Sequence, residues 1–182
     1  MATTELMTAE DLLQLRDDEH RYDLIRGELM RMSPANARHG EIAAEFVGEL
    51  RSHVKANRLG RTYSSETGFI LARNPDIVLA PDAAFVRSDR LPPLEQRSRF
   101  LELAPDLVVE VASPSDRWTE INDKVMEYLR HGVALVWIAD PRLQQVTVYT
   151  SDRGPRVFTI EDQLDGGSVL PEFRMAVAEI FE

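Results

Sequence analysis

The chain has 182 residues, a net charge of −10 and no cysteine. A disulfide framework and a thiolate zinc site are excluded, and the acidic total argues against a protein that coats nucleic acid by charge alone. The length suits one domain, which we expect to span residues 1–182. The N-terminus lacks a basic region with a long apolar run, and no apolar run approaches the ~20 residues that span a bilayer. We therefore expect a cytoplasmic protein without a membrane partner.

The first third of the chain predicts two helices separated by a hairpin. Thr8–Leu15 is a short helix candidate whose first residue is a possible N-cap. Two short strands within Tyr22–Met32 form the hairpin. From about His39 to Asn57, apolar residues recur at helical spacing, and Gly60 is expected to end this helix.

The middle of the chain predicts strands and turns. Four strand-like segments follow one another, at Thr62–Ser65, Thr67–Leu71, Ile77–Ala80 and Ala83–Val86. A turn at Asn74–Asp76 separates two of these segments. The arginine- and proline-containing connection Arg87–Ala104 has no regular pattern.

A strand, a helix and a second strand then form the clearest unit of the sequence. Asp106–Ala112 and Val133–Ala139 are apolar enough to be buried on both faces, and Trp118–Arg130 between them has helical periodicity. This order predicts a right-handed parallel crossover. The last part predicts a strand meander and then a strand or a short helix, at Val146–Tyr149, Val157–Ile160 and Pro171–Phe181. Together these elements predict an α/β fold, with a mixed sheet flanked by helices and an N-terminal β-hairpin.

Two carboxylates interrupt apolar strands and are the first candidate functional residues. Glu110 lies within a buried strand, and Asp82 lies between two apolar segments. An unpaired carboxylate in such a position is costly, and a cation or a hydrogen-bonding partner removes the cost. If the two strands are neighbours, the acids converge, and a divalent cation such as Mg²⁺ relieves their repulsion with oxygen ligands. The alternative is that each acid caps a strand end or pairs with an arginine.

Short motifs that carry a family resemblance run through most of the chain. Pro81-Asp82 followed by Glu110-Val111-Ala112 resembles the PD-(D/E)XK nuclease pattern. More closely, the chain resembles the restriction-endonuclease-like Uma-two family. The shared stretches are Tyr22–Leu29, Met32–Pro34, His39 at a helix start, Ala80–Asp82, Ala104–Val111, Ser113–Ser115, Lys124 four residues before Tyr128, Gly132-Val133, Trp137–Pro141 and Ile180-Phe181.

The resemblance implies a restriction-endonuclease-like core and a metal site. Asp82 and Glu110 would hold the metal, and the backbone carbonyl of Val111 is a further implied ligand. The superfamily's lysine normally lies two residues after the glutamate, where this chain has Ala112. Lys124 on the following helix matches the family's substitute and would orient water and offset charge in the transition state. The alternative for Lys124 is a solvated helix lysine.

His39 and Glu45 are further candidates from the long helix. His39 falls close to the apolar face and is expected to point toward the sheet; the alternative is a histidine with a satisfied hydrogen bond. Glu45 belongs to a stripe of acids, and an acid from the first helix often completes sites of this type; the alternative is a solvated stripe. Asp76 also follows a proline, but we interpret it as a turn residue.

The leading hypothesis is a Mg²⁺- or Mn²⁺-dependent endonuclease that hydrolyses DNA without an organic cofactor. A double-strand cut requires two sites, so a homodimer is expected. Arg51, Lys55 and Arg58, or the arginines within 87–99, are candidate phosphate contacts, with solvated surface as the alternative. A second hypothesis is an inactive nuclease-like module that binds DNA or protein, and a third is a hydrolase of another phosphate-containing substrate.

Overall fold

The computed structural model describes residues 6–15, 20–32 and 35–182. In chain order, the elements are α1 (Ala9–Gln14), β1 (Arg21–Ile25), β2 (Glu28–Met32), α2 (Ala37–Ala56), β3 (Gly60–Ser64), β4 (Phe69–Ala72), β5 (Ile77–Leu79), β6 (Ala83–Arg87), β7 (Leu107–Val111), α3 (Trp118–Arg130), β8 (Leu135–Asp140), β9 (Gln145–Thr150), β10 (Arg156–Thr159), β11 (Gln163–Gly166), β12 (Leu170–Ala176) and α4 (Val177–Ile180). Two 3₁₀ turns, Ser88–Arg90 and Leu94–Ser98, lie in the connection before β7.

A six-stranded sheet forms the centre of the molecule, with strand order β10-β9-β8-β7-β6-β3. β7 and β8 are parallel, and the other neighbours are antiparallel. α3 connects the two parallel strands, so the predicted parallel crossover is confirmed. β8 is buried along its whole length, as its apolar sequence predicts.

The two faces of this sheet are covered by different helices. Because successive side chains of a strand point to opposite faces, β7 contributes Val109 to the α2 side and Val108 to the α3 side. On the α2 side, the Trp137 ring lies 6.0 Å from the Phe46 ring and 5.7 Å from the Phe173 ring. On the other side, Tyr128 of α3 is fully buried. The predicted mixed sheet with helices on both faces is confirmed.

A second sheet, with order β2-β1-β5-β4, contains the predicted N-terminal hairpin. Arg26 and Gly27 connect β1 to β2 with φ values of 53° and 80°. Two positive φ values are typical of the tight turns that join hairpin strands. β5 pairs with β1 in this sheet, and the chain then runs from β5 through Ala80 and Pro81 into β6 of the larger sheet. The two sheets are therefore joined close to Asp82.

The prediction that Gly60 ends the long helix is wrong. α2 ends at Ala56 with Asn57 as its C-cap, and Arg58 takes the left-handed conformation, with φ of 55°. Gly60 instead begins β3, where a Cβ atom would lie 2.0 Å from the carbonyl oxygen of Val86. Close approach of β6 therefore requires the glycine.

The C-terminal segment contains both of the elements that the sequence left open. β12 is followed directly by α4, and β12 pairs with β11, a strand the sequence analysis did not predict. Within the described residues, no helix is both long and apolar enough to cross a membrane.

Candidate active site

The two carboxylates predicted from the sequence lie on neighbouring strands. β6 and β7 are antiparallel, with Ala83 opposite Val109. Asp82, immediately before β6, therefore lies beside Glu110, close to the end of β7. The convergence expected from the sequence follows from this register.

Three groups hold the Asp82 side chain, which is 11% exposed. Its Oδ2 atom accepts a hydrogen bond from the backbone N–H of Val111 at 2.8 Å and lies 3.2 Å from Nε2 of His39. The hydroxyl of Ser65 lies 3.4 Å from Oδ1. The hydrogen bond to Asp82 raises the pKa of His39 above its ordinary value, although burial opposes the shift. His39 points toward the sheet, as the sequence predicts, and its Nε2 atom meets Asp82 near the start of α2.

Glu110 is surrounded by groups that shift its pKa in opposite directions. Its Oε1 atom accepts hydrogen bonds from the Tyr128 hydroxyl at 2.6 Å and from Nζ of Lys124 at 3.2 Å. Burial raises the pKa of Glu110 to about 7 and the charge of Asp82 adds to the rise, whereas Lys124 and Tyr128 oppose it. A carboxyl with this pKa exchanges its proton near neutrality, and a bound divalent cation would favour the ionised form.

Lys124 lies between two carboxylates and is not a solvated lysine. Its Nζ atom is 2.8 Å from Oδ2 of Asp23 and 3.2 Å from Oε1 of Glu110, and its side chain is 19% exposed. Burial acts to lower the pKa of Lys124, but the two acids together raise it, so the group is an ammonium at neutral pH. Lys124 and Tyr128 share a face of α3 because four residues span about one helical turn.

Asp23 and Tyr128 are the contacts that the sequence analysis did not assign to the site. Asp23 is a buried acid between apolar neighbours in β1, which is the same signal that marked Glu110. Tyr128 lies in a segment with helical periodicity, but nothing in the sequence showed that its hydroxyl meets a carboxylate.

The structure does not bring Glu45 to this site. Glu45 is exposed and lines a separate groove, with Glu41, Glu49 and Glu179 of the C-terminal helix. An α-helix turns by about 100° per residue, so Glu45 points about 120° away from His39 around the axis. The helical spacing that directs His39 toward Asp82 therefore directs Glu45 to solvent.

Asp76, interpreted from the sequence as a turn residue, has a structural role in the fold. Its carboxylate accepts hydrogen bonds from the backbone N–H groups of Ala9 and Asn74, at 2.8 and 3.2 Å, and from Arg73 at 2.8 Å. Burial acts to raise the pKa of Asp76, but these hydrogen bonds together hold it below its ordinary value.

Comparison with known proteins identifies the family. The model of the Uma2 (Uma-two) family, described as "putative restriction endonuclease", matches residues 9–178. The chain belongs to this family. A solved structure from Anabaena variabilis, described as a putative nuclease belonging to DUF820, is similar at 25% identity with a TM-score of 0.84. The alignment covers 96% of this chain and 97% of that one. No curated protein matches the chain.

The Uma2 membership and the structural neighbour confirm the family resemblance and the restriction-endonuclease-like fold. Both indicate a nuclease. The superfamily's lysine is absent at Ala112, but the position of Lys124 places an ammonium group directly beside Glu110.

The donor atoms of this Uma2 site fit a hard divalent cation. No hydrogen bond from any described residue reaches Oε2 of Glu110, and the single contact to Oδ1 of Asp82 is long. Each acid therefore has an oxygen that can bind a metal. Among the described residues, no group of three or more histidines or acids is placed to bind a metal alone. Two carboxylates with water in the remaining positions suit Mg²⁺, which usually keeps several waters.

An open cleft of about 430 Å³ adjoins the site. Ser65 and Asp82 form part of its wall, so the cleft reaches the Asp82 side of the site. The other walls combine aromatic, apolar and charged side chains, including His20, Arg21, Tyr22, Met32, Val78 and Phe100.

The basic residues predicted as phosphate contacts have two different environments. Arg90 binds Asp106 at 2.8 Å, and Arg87 lies 3.0 Å from Asp89 and 3.8 Å from Asp106, so both arginines are paired within the fold. The stripe at the end of α2 is exposed to solvent and comprises Arg51, Lys55 and Arg58.

Proposed function

We propose that this Uma2 chain is a Mg²⁺- or Mn²⁺-dependent endonuclease that hydrolyses phosphodiester bonds in DNA. The observation that carries the proposal is the meeting of two carboxylates, Asp82 and Glu110, with the ammonium group of Lys124 at the junction of two strands and a helix. A pair of acids that binds a divalent cation, with a positive group beside it, suits a reaction in which negative charge develops on phosphate.

Each residue has a defined part in this mechanism. Asp82 and Glu110 would hold the cation, with the carbonyl of Val111 as a further ligand. In an extended strand the N–H and C=O of one residue point to the same edge, and the Val111 N–H points to Asp82. When bound, the cation supplies an activated water and stabilises the leaving oxygen. Lys124 offsets the charge that develops on the phosphate.

His39 would keep Asp82 in place and retain a proton on Nε2. The raised pKa of His39 favours the protonated ring, which then donates to Oδ2 of Asp82. Since the Val111 N–H binds the same oxygen, Oδ1 would be the atom of Asp82 that holds the cation.

The family's description and an exposed basic stripe support DNA as the proposed substrate. A chain with a net charge of −10 repels DNA at long range, so we expect cleavage to require divalent cations for approach as well as for chemistry. The exposed stripe of Arg51, Lys55 and Arg58 offers contacts to the phosphate backbone. A double-strand cut requires two such sites, so we propose that the active form is a homodimer.

Cleavage of supercoiled plasmid in Mg²⁺ or Mn²⁺ tests the proposal. We expect Asp82→Ala and Glu110→Ala each to reduce the cleavage rate by at least about 10²-fold, because each removes a metal ligand. Lys124→Ala should reduce it by about 10²-fold through lost electrostatic stabilisation. Glu45→Ala is the matched control, an acid from the same domain that lies outside the site, and should cleave at the wild-type rate. Circular dichroism checks that each variant is folded.

Other results of these assays would contradict the metal mechanism or favour a different function. Cleavage that persists in both folded acid variants, or in excess EDTA, would contradict the metal mechanism. DNA binding without cleavage in either metal would favour the inactive nuclease-like module, with which an alanine at position 112 is consistent. Parallel assays with RNA and nucleotides separate DNA hydrolysis from action on another phosphate substrate.

A further inference from the structure

Asp23 is a buried acid that connects three parts of the site. The residue is 2% exposed, and each of its carboxylate oxygens has a partner. Oδ2 lies 2.8 Å from Nζ of Lys124 on α3. Oδ1 accepts a hydrogen bond at 3.1 Å from the backbone N–H of Ala80, two residues before Asp82. One carboxylate on the hairpin thus joins the helix that carries the lysine to the segment that carries a metal-binding acid.

We propose that Asp23 is a positioning residue that fixes Lys124 beside Glu110 and holds the Ala80–Asp82 segment in register with it. The inference rests on the proposed nuclease function, which it deepens. Asp23 does not touch the substrate or the metal in this scheme, and it acts through Lys124.

Lys124 needs a second carboxylate because its own side chain is flexible. A lysine has four rotatable side-chain bonds, and ordering them has an entropic cost that one contact offsets poorly. The contact with Asp23, at 2.8 Å, is shorter than the contact with Glu110, at 3.2 Å. Asp23 therefore holds the ammonium near Glu110 without leaving Glu110 as its sole counter-ion. If Lys124 paired with Glu110 alone, it would compete with the cation for that carboxylate.

The hairpin is itself fixed to α3, so that Asp23 cannot slide along the helix. Nη2 of Arg26, at the hairpin turn, lies 2.6 Å from Oε1 of Glu127 on α3. The neighbouring Gly27 donates a backbone hydrogen bond to the carbonyl of Asp76 at 2.9 Å. The first contact anchors the hairpin turn to α3, and the second anchors it to the turn before β5. Asp23 meets α3 about one turn before Glu127, at Lys124.

Asp23→Asn separates the two functions of the carboxylate. The amide has the same shape and keeps an oxygen for the N–H of Ala80, but it loses the negative charge that holds Lys124. Asp76→Asn is the matched control, because Asp76 is also a buried acid that accepts backbone N–H groups, yet it contacts no residue of the site.

The first experiment measures how firmly Lys124 is held, in metal-free protein and without any activity assay. Reductive methylation followed by mass spectrometry reports the modification rate of each lysine. Lys55, the other lysine of the chain, is exposed on α2 and serves as an internal reference. We expect the rate at Lys124 relative to Lys55 to rise about tenfold in Asp23→Asn, since one charge-assisted hydrogen bond is lost, and to stay unchanged in Asp76→Asn.

The second experiment tests whether the contact between Asp23 and Lys124 affects the reaction. We expect Asp23→Asn to lower kcat for plasmid cleavage by at least about tenfold with little change in KM, because Lys124 acts in the transition state. Mn²⁺ binding measured by calorimetry should weaken severalfold. In a Lys124→Gln background, Asp23→Asn should have no further effect on kcat, and this double variant contains no ammonium group that has lost one of its two carboxylate partners.

The outcomes separate this inference from the proposed function. An unchanged rate at Lys124 in Asp23→Asn would overturn the positioning role, whether or not the protein cleaves DNA. A further tenfold loss of kcat in the Lys124→Gln background would also overturn it, because Asp23 would then act independently of the lysine. A wild-type protein that cleaves no substrate but shows the tenfold change at Lys124 would overturn the nuclease function and leave the contact that Asp23 makes intact.

Discussion

The protonation of Glu110 gives the site its expected response to pH. Burial and the nearby charge of Asp82 raise its pKa to about 7, against the opposing effects of Lys124 and Tyr128. A cation binds the ionised carboxylate, so below this pKa it must displace a proton from Glu110.

Mn²⁺ affinity is therefore expected to rise by roughly tenfold between pH 6 and pH 8 and to level off above that range. Calorimetric titration of the metal-free protein measures the effect. Tyr128→Phe removes a hydrogen bond that favours the charged form of Glu110, which moves the rise to higher pH. An affinity that does not change across this range would show that Glu110 is not a ligand.

Asp76, whose pKa is shifted in the opposite direction to that of Glu110, predicts a pH effect on stability. Its pKa is lowered in the folded protein, so its contribution to stability is complete above the unfolded pKa of about 3.9 and is lost as the pH falls through the folded value. Asp76→Asn should lower the free energy of unfolding by about 1–3 kcal/mol at pH 7. The difference between wild type and variant should shrink between pH 5 and pH 2 in urea titrations. A difference independent of pH would contradict this account.

The residues of the site differ in how far the sequence could reveal them. Asp82 and Glu110 interrupt apolar strands, and a buried carboxylate is visible as a local conflict in sequence. The role of Lys124 came from family resemblance. Asp23 showed the same local conflict as Glu110, but its partner lies on α3, far along the chain, and no local pattern specifies that contact.

At the scale of elements, two glycines show how differently a strand and a helix tolerate an added Cβ atom. At Gly60 in β3, a Cβ atom would meet the backbone of β6, whereas at Gly48 in α2 nothing lies within 4 Å. The sequence could not distinguish a glycine at a helix stop from one required by a neighbouring strand, because the neighbour is set by the sheet order.

Gly60→Ala is expected to lower the free energy of unfolding by about 2–3 kcal/mol, because the backbone of β6 must move. Gly48→Ala should raise it by about 0.5–1 kcal/mol, since alanine has the higher helix propensity. Chemical denaturation of both variants measures the pair. Similar effects at the two positions would contradict the assignment of Gly60 to a close contact between strands.

Periodicity predicted the elements themselves better than their ends or partners. The apolar spacing of α2 correctly gave a buried face, including Phe46, and it directed His39 toward the sheet. The same spacing shows that Glu45 points away, so its assignment rested on the family pattern and not on helix geometry. β11 lacks a strong alternating pattern, and its pairing with β12 became evident only in three dimensions.

For the whole molecule, the C-terminal segment completes the core on the α2 side. Phe173 of β12 is 1% exposed and packs against Trp137. Phe173→Ala should lower the free energy of unfolding by about 3–5 kcal/mol, from lost burial and the cavity that remains. Chemical denaturation followed by tryptophan fluorescence measures the change. Leu143→Ala, at a side chain 54% exposed, is the matched control and should change stability by less than about 0.5 kcal/mol.

The separation of the site residues along the chain determines when, during synthesis, the site can form. Arg26 and Glu127, which fix the hairpin to α3, are 101 positions apart. A nascent chain that has emerged as far as β7 contains Asp82 and Glu110, the two proposed metal ligands, but neither Lys124 nor β8, with which β7 is hydrogen-bonded. Chains that end before α3, or that are still attached to the ribosome at that stage, therefore lack the ammonium group of Lys124. They also lack β8, one of the two strands that pair with the strand of Glu110. The proposed cleavage activity is in this way restricted to chains whose synthesis has passed the central helix.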